Sequence, residues 1–316
     1  MTKPINDILP KEIENGMEDI LLNFSLLIDE FVHFGTHVLK WMVQVPGGSD
    51  EQMPLILFFR DLLEKADSIS ILVKNSSIDP SKQILRSLFE THMYIDYLTE
   101  KYQDERAMAF LVWDAKRKIQ LLQNYNFGTQ KNKQLRNSLE KDKSIMDNDL
   151  LENLPEVKSN LKKLQDLLKQ DEYLRASKEY DKVKKNEGNP NWYRLFNGPR
   201  NIQQLANHIK LSFLYETLYR NWSGSVHGTD IVQGKITPSI SDTLDGDKVK
   251  ADIIQIRLPK DAQQVTAYTL ILLVKTFRII VNYKVPNKQD DLKKWYLTVR
   301  DSLTQITGEK QLINMV

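Results

Sequence analysis

Residues 76–82 read S-S-I-D-P-S-K, and residues 84–100 read I-L-R-S-L-F-E-T-H-M-Y-I-D-Y-L-T-E. Together they carry the start signal and the body of a helix. Asp79 offers a side-chain oxygen to the first free amides, and Pro80 suits the first helical position, where its missing N–H costs nothing. Arg86 and Glu90 lie four apart and so share one face, set among Leu85, Leu88, Phe89 and Tyr94. That placement leaves two readings open: a partly buried ion pair, or a polar pair that reaches into an active site or a dimer seam.

The helical period continues in both directions. Ile20, Phe24, Leu27, Phe31, Phe34, Val38 and Met42 recur every three or four residues, which predicts one long helix over about residues 11–43 with Gly35 as a place to bend. The breaker cluster V-P-G-G-S-D at residues 45–50 ends it. A second helix is expected over residues 51–74, with its L-I-L-F-F run deep in the core, and a further one over residues 104–124. From residue 128 to residue 188 lysines and acids are densely mixed and tryptophan and phenylalanine are absent. Leu161, Leu164, Leu168 and Tyr173 leave only a thin apolar stripe there, which predicts a protruding charged helical arm whose N-E-G-N-P-N turn at residues 186–191 moves.

From Ile202 onward Leu205, Ile209, Phe213, Leu214, Leu218 and Tyr219 are apolar on more than one side, so this helix is expected at the centre of a bundle, with Arg220 emerging from its end. Beyond residue 227, short β-branched runs sit between turn residues, which predicts a small hairpin set into a helical fold. Asp261 and Gln264 resemble a capping box for the apolar helix that ends near Tyr283, and a last amphipathic helix covers about residues 289–307, stopped by Gly308. The expected class is all-α, a mainly α-helical bundle with a small β-hairpin-like insertion. One domain is expected, with N-terminal helices over residues 1–127, the arm over 128–188 and the rest of the bundle over 189–316.

Composition narrows the function. The 316 residues contain no cysteine, which removes disulfides, thiolate nucleophiles and cysteine-type zinc sites together and suits a reducing, cytoplasmic interior. A net charge of +2 carries no argument for nucleic-acid binding on its own, so any RNA contact has to come from a local patch. The start M-T-K-P-I-N-D-I-L-P lacks the pattern of a signal peptide. Lys275 and Arg278 interrupt the apolar stretch at residues 265–283, so a buried core helix is expected there and no membrane span. Neither a P-loop, a dinucleotide-binding glycine pattern nor a G-x-S-x-G elbow occurs. Glu30 and His33 form one Glu-x-x-His element of the kind used in di-iron bundles, and E-T-H at residues 90–92 is only a near miss, so no metal and no cofactor is expected.

What remains is residues 215–230, Y-E-T-L-Y-R-N-W-S-G-S-V-H-G-T-D. Arg220 supplies a fixed cation for a phosphate, and His227 supplies an imidazole that moves a proton near neutral pH. On an unbroken helix the two fall seven apart and on nearly one face, and a break at residues 223–225 still leaves them close. The structural alternative pairs Arg220 with Glu216 one turn back and leaves His227 at a helix terminus.

R-N-W-S-G-S-V-H resembles the R-x(4 to 6)-H motif of the HEPN superfamily (higher eukaryotes and prokaryotes nucleotide-binding), in which a polar residue commonly follows the arginine, as Asn221 does here. Together with R-S-L-F-E at residues 86–90, Trp192 and Tyr193, and the pattern Y-R-x-x-S-x-x-V-H-G, it is similar to an uncharacterised bacterial family of HEPN-like proteins over about residues 58–283. The resemblance implies a helical bundle that forms a homodimer, a composite site with Arg220, Asn221 and His227 as catalytic residues, and Arg86, Glu90, Tyr219 and Ser223 in support. It implies metal-independent cleavage of RNA in phage defence or a toxin system, with an antitoxin or other protein as partner. Some relatives are inactive, so a non-catalytic helical dimer that binds RNA or a protein partner stays open as the alternative.

Overall fold

The structure is a computed structural model that describes residues 13, 15–45, 52–142, 155–220, 222, 236–241, 248–253, 257 and 259–308. The chain is all-α in class. Its helices are α1 (Glu18–Gln44), α2 (Met53–Lys74), α3 (Ile78–Thr99), α4 (Gln103–Tyr125), α5 (Gln130–Lys141), α6 (Pro155–Leu167), α7 (Asp171–Glu187), α8 (Ile202–His208), α9 (Ser212–Leu214), α10 (Ala262–Lys284) and α11 (Gln289–Thr307). A 3-10 segment at Trp192–Asn197 precedes α8, and α9 runs on as a π-helix over Tyr215–Arg220. The backbone of β1 (Ile236–Ser241) pairs antiparallel with β2 (Lys248–Ile253), with Ile236 opposite Ile253 and Ser241 opposite Lys248.

Two compact units divide these elements. The first draws on α1, α2, α3, the end of α8 with α9 and the π-helix, and α10 and α11. At its centre is α10, where Leu270, Leu272, Leu273, Phe277, Ile280 and Val281 are fully buried. By length and composition α10 is apolar enough to cross a membrane. Its burial against α1, α3 and α11 makes it the core helix of this unit instead, with Arg278 exposed. Around Phe277 the aromatics interlock: Trp295 stacks on Phe34 at 3.9 Å between ring centroids and meets Phe31 edge-on at 4.8 Å, while Phe59 meets Phe277 edge-on at 5.9 Å. Such rings bring large buried area with fixed mutual geometry, so they set the spacing of α1, α2, α10 and α11.

Several expectations shift in register. The buried stripe of α1 is Leu21, Ser25, Ile28, Phe31, Phe34, Val38 and Met42, so its first half turns one residue away from Ile20, Phe24 and Leu27. Ser25 faces inward because its hydroxyl meets that of Ser70 at 2.9 Å, which satisfies a polar group inside the core. Within L-I-L-F-F only Leu55 and Phe59 are buried and Leu57 is 47% exposed, since an unbroken apolar run wraps right round a helix. Asp79 and Pro80 fall inside the first turn of α3 behind Ser77, and Asp79 pairs with Lys82 at 3.1 Å. Asp261 caps α10 by position alone, with φ of 68° and no side-chain bond to its amides, because its carboxylate is on Lys82 at 2.8 Å. The helix expected from Ile202 to Arg220 breaks at Lys210, where φ is 61°, and Phe213 is 73% exposed.

The second unit, over residues 101–205, reaches beyond the stretch read as an arm on both sides. Met108, Val112 and Ala115 of α4 pack on Tyr173, Ala176, Tyr180 and Val183 of α7, with Leu168 and Leu195 completing a core of their own. The N-E-G-N-P-N turn is tied down: Arg194 forks onto Glu187 at 2.6 and 2.8 Å, and the Trp113 indole donates to the carbonyl of Pro190 at 3.0 Å. A two-point ion pair and a part-buried bond to the backbone oppose the motion that polar composition suggests.

Gly35 of α1 faces Leu63 of α2 and Phe277 of α10. A Cβ there would sit 2.3 Å from Leu63 Cδ2 and 3.3 Å from Phe277 Cε1. Gly35→Val is expected to lower unfolding free energy by about 1–3 kcal/mol through overpacking. Denaturant melts of Gly35→Val, Leu63→Ala and the double variant test this, because the double variant should lose less than the sum of the two. Simple additivity would refute the contact.

Candidate functional site

α3 works on two faces. Toward the core it presents Leu85, Leu88 and Phe89, all fully buried, to α10. Toward the π-helix it presents Arg86 and Glu90. The chain arrives opposite them by a sharp route: Leu211 donates its amide to the Ala206 carbonyl at 2.8 Å, Ser212 restarts the helix, and the π-helix follows. Such i→i+5 turns are rare and recur at functional sites. Leu218, fully buried, anchors the turn in the core and leaves Tyr219 beside α3.

The Arg86 guanidinium lies 3.8 Å from the centroid of the Tyr219 ring, and the Tyr215 ring stacks on Tyr219 at 5.1 Å with planes 19° apart. Burial raises the Tyr219 phenol above its ordinary value, with its bond to Arg86 pulling it down and Glu90 pushing it up. Arg86 and Glu90 thus both act on Tyr219 of the π-helix. Three expected supporting residues, Arg86, Glu90 and Tyr219, come together here.

Arg220 follows directly and points to solvent. Its Nη1 is 3.3 Å from Glu216 Oε2, with 68% of its side chain exposed. An ion pair so exposed is worth little and is readily exchanged for another anion. Asn221, Ser223 and His227 lie outside the described residues. Trp222 meets the Tyr268 ring edge-on at 6.3 Å, with Lys82 Nζ 5.8 Å from its own ring. Burial alone would lower the Lys82 ammonium, but Asp261 and Asp79 hold it above its ordinary value. Tyr215 and Lys82 had no assigned role in the sequence. The signal for Tyr215 was its Y-x-x-x-Y spacing with Tyr219, which an apolar count absorbs as core.

The histidines divide differently. His33 and His37 are exposed on α1, and Glu30 accepts from the Trp295 indole at 2.9 Å. Glu90 goes to Tyr219 while His92, two residues on, points the other way and meets Thr276 at 2.7 Å, so E-T-H does not converge. Among the described residues no group of three or more His, Asp or Glu side chains is gathered for a metal. His208 meets Glu100 at 2.9 Å. Two open grooves of about 670 and 650 Å³ run along α1 beside the ends of α10 and α11, lined in both cases by Ile20 and Phe24, and none of Arg86, Glu90, Tyr219 and Arg220 lines either.

Two groups of α3, the buried His92 and the half-buried Asp96, make opposite demands on pH. The Asp96 carboxyl is pushed up to about 6, first by burial and then by Glu100, with Lys275 acting against them. Burial, and secondarily Lys275, pushes the His92 imidazole down to about 3. Between about pH 4 and 6 the unfolded chain releases the Asp96 proton that the folded chain keeps, so this group subtracts stability as pH rises. Over the same range the unfolded chain holds a proton at His92 that the folded chain refuses, so His92 adds stability as pH rises. Asp96→Asn leaves the His92 slope alone. Its thermal midpoint should climb more steeply than that of the unaltered chain across this range and exceed it at neutral pH, and parallel profiles would refute the assignment.

Comparison with curated proteins finds no match, and neither does comparison with solved structures. A match to a family model runs from α2 past the π-helix and takes in Arg86, Glu90, Tyr219, Arg220 and His227. That match covers residues 52–235, more than half of the chain, and the chain belongs to that family, a family of unknown function (DUF5677).

Proposed function

We propose that this chain is a HEPN-like, metal-independent endoribonuclease, cytoplasmic and homodimeric, serving in phage defence or a toxin system. The observation that supports this most is the Arg86–Tyr219–Glu90 cluster. It braces the residue next to Arg220 and leaves the Arg220 guanidinium in solvent beside a weak, exchangeable partner. Preorganised support behind an available cation is what stabilising developing charge on a phosphate requires.

In this proposal the ribose 2′-OH gives its proton to a general base as O2′ attacks the adjacent phosphorus, and the P–O5′ bond breaks as O5′ takes a proton from a general acid. His227 acts as general base toward the 2′-OH or as general acid toward O5′. Arg220 takes the charge that builds on the non-bridging oxygens, and Asn221 orients one of these groups. Ser223 is a supporting residue of the site. The products are a 2′,3′-cyclic phosphate and a 5′-hydroxyl.

The competing reading is a non-catalytic helical dimer that binds RNA or a protein partner such as an antitoxin. The Glu216 carboxylate beside Arg220 favours it, since an arginine already paired is less available to a scissile phosphate. Incubation of the purified chain with RNA in excess chelator separates the two. Cleavage ending in a cyclic phosphate is expected, falling at least about a hundredfold in Arg220→Ala and in His227→Ala, with far-UV circular dichroism unchanged. Cleavage undiminished in both variants, or no cleavage by any preparation, rules the enzyme out.

A further inference from the structure

We infer that Tyr215, backed by Tyr219 and Arg86, is a stacking platform for one nucleobase of single-stranded RNA whose neighbouring phosphate is taken by Arg220. This rests on the proposal that the ligand is RNA but not on the chain's cleaving it.

Three features carry the inference. The rings of Tyr215 and Tyr219 are within 19° of parallel at 5.1 Å, and the Arg86 guanidinium sits 3.8 Å from the Tyr219 centroid, so the three planar groups form a short ladder running out from α3. The inner end is held, because Tyr219 is part-buried and its phenol is engaged by Arg86 and Glu90. A ring held from behind loses little freedom when a base settles on it. The other end lies next to the surface: Tyr215 is half-buried, as Tyr219 is, and Phe213, two residues earlier, is 73% exposed. Phe213 leads into the turn that carries Tyr215, with Thr217 donating its hydroxyl to the Phe213 carbonyl at 2.9 Å.

Charge at this place is balanced. Arg86 is offset by Glu90, and Arg220 by Glu216. Affinity for an RNA strand at this patch therefore cannot come chiefly from phosphate neutralisation, and base stacking is the remaining source that the local chemistry offers. Stacking tolerates any base, since each has a π face, and by itself it neutralises no phosphate and releases no counterion. The platform accordingly predicts a shallow salt dependence, with roughly one phosphate neutralised and log K falling by about 0.7 per decade of salt.

The probes are 2′-O-methyl oligoadenylate and oligouridylate, which lack the 2′-hydroxyl and cannot be cleaved by the proposed route, and an abasic oligomer of the same length. Binding is followed by fluorescence anisotropy on the full chain. Tyr215→Ala and Tyr215→Leu are expected to weaken both base-bearing probes by about tenfold or more, while Tyr215→Trp retains binding. The abasic probe should bind the unaltered chain weakly and the variants equally so. If Tyr215→Leu binds the base-bearing probes as tightly as the unaltered chain, or if the abasic probe binds as tightly as they do, the platform is refuted. Base-dependent binding that is lost in Tyr215→Leu, in a chain that cleaves nothing, upholds the platform and refutes only the ribonuclease chemistry. Cleavage that survives in a chain with no base-dependent binding does the reverse.

Discussion

The packing of α3 against α10 is the constraint on which the first unit depends. Leu85, Leu88 and Phe89 are fully buried on α3, and its His92 bonds to Thr276 of α10 inside the same core. A hydroxyl that also back-bonds to Leu272 has its place set along the helix axis, so the two helices are held in register as well as at a distance. Removing the Thr276 hydroxyl would leave the His92 nitrogen unsatisfied in the buried interior, which is why such a pair specifies one arrangement among many apolar ones.

Once α3 is placed, its other face follows by geometry. Arg86 and Glu90 stand out from the core, and the π-helix meets them with Tyr219. Tyr219 is held from one side by α3 and from the other by Tyr215, while Leu218 pins the same turn into the core. Stability and candidate chemistry thus meet within consecutive residues: Leu218 packs, Tyr219 braces and Arg220 faces water. Lys82 ties a second place together, bridging the start of α3 to Asp261 at the start of α10 and lying near Trp222.

Much of the helical frame was legible. The last helix was read at its observed bounds because an amphipathic period and a terminal glycine, with φ of 66°, mark it locally. The slip in the first half of α1 has a physical cause, since Ser25 is buried through a hydrogen bond to Ser70, 45 residues away, and apolar periodicity carries no trace of that partner. Residues 128–188 read as a solvated arm because the small core they share with α4 is built mainly from alanine, tyrosine, methionine and valine on α4 and α7 instead of a long leucine stripe. Pairing α4 with α7 is a non-local event, and only after it does the charged stretch acquire an inside.

By itself the sequence determined that the chain is helical, that it lacks thiol chemistry, and which residues are chemically able to act on a phosphate. Those are properties of side-chain type and period. Tertiary structure decided the companions: that Arg86 and Glu90 turn to Tyr219, that Tyr215 completes a ladder, that Asp261 serves Lys82 instead of capping its helix, and that the helix after Ile202 breaks at Lys210. The reason is the same in each case. A polar or aromatic side chain has several acceptable partners within its own helix, and the choice falls to whichever group another helix delivers within bonding distance once the apolar core has packed.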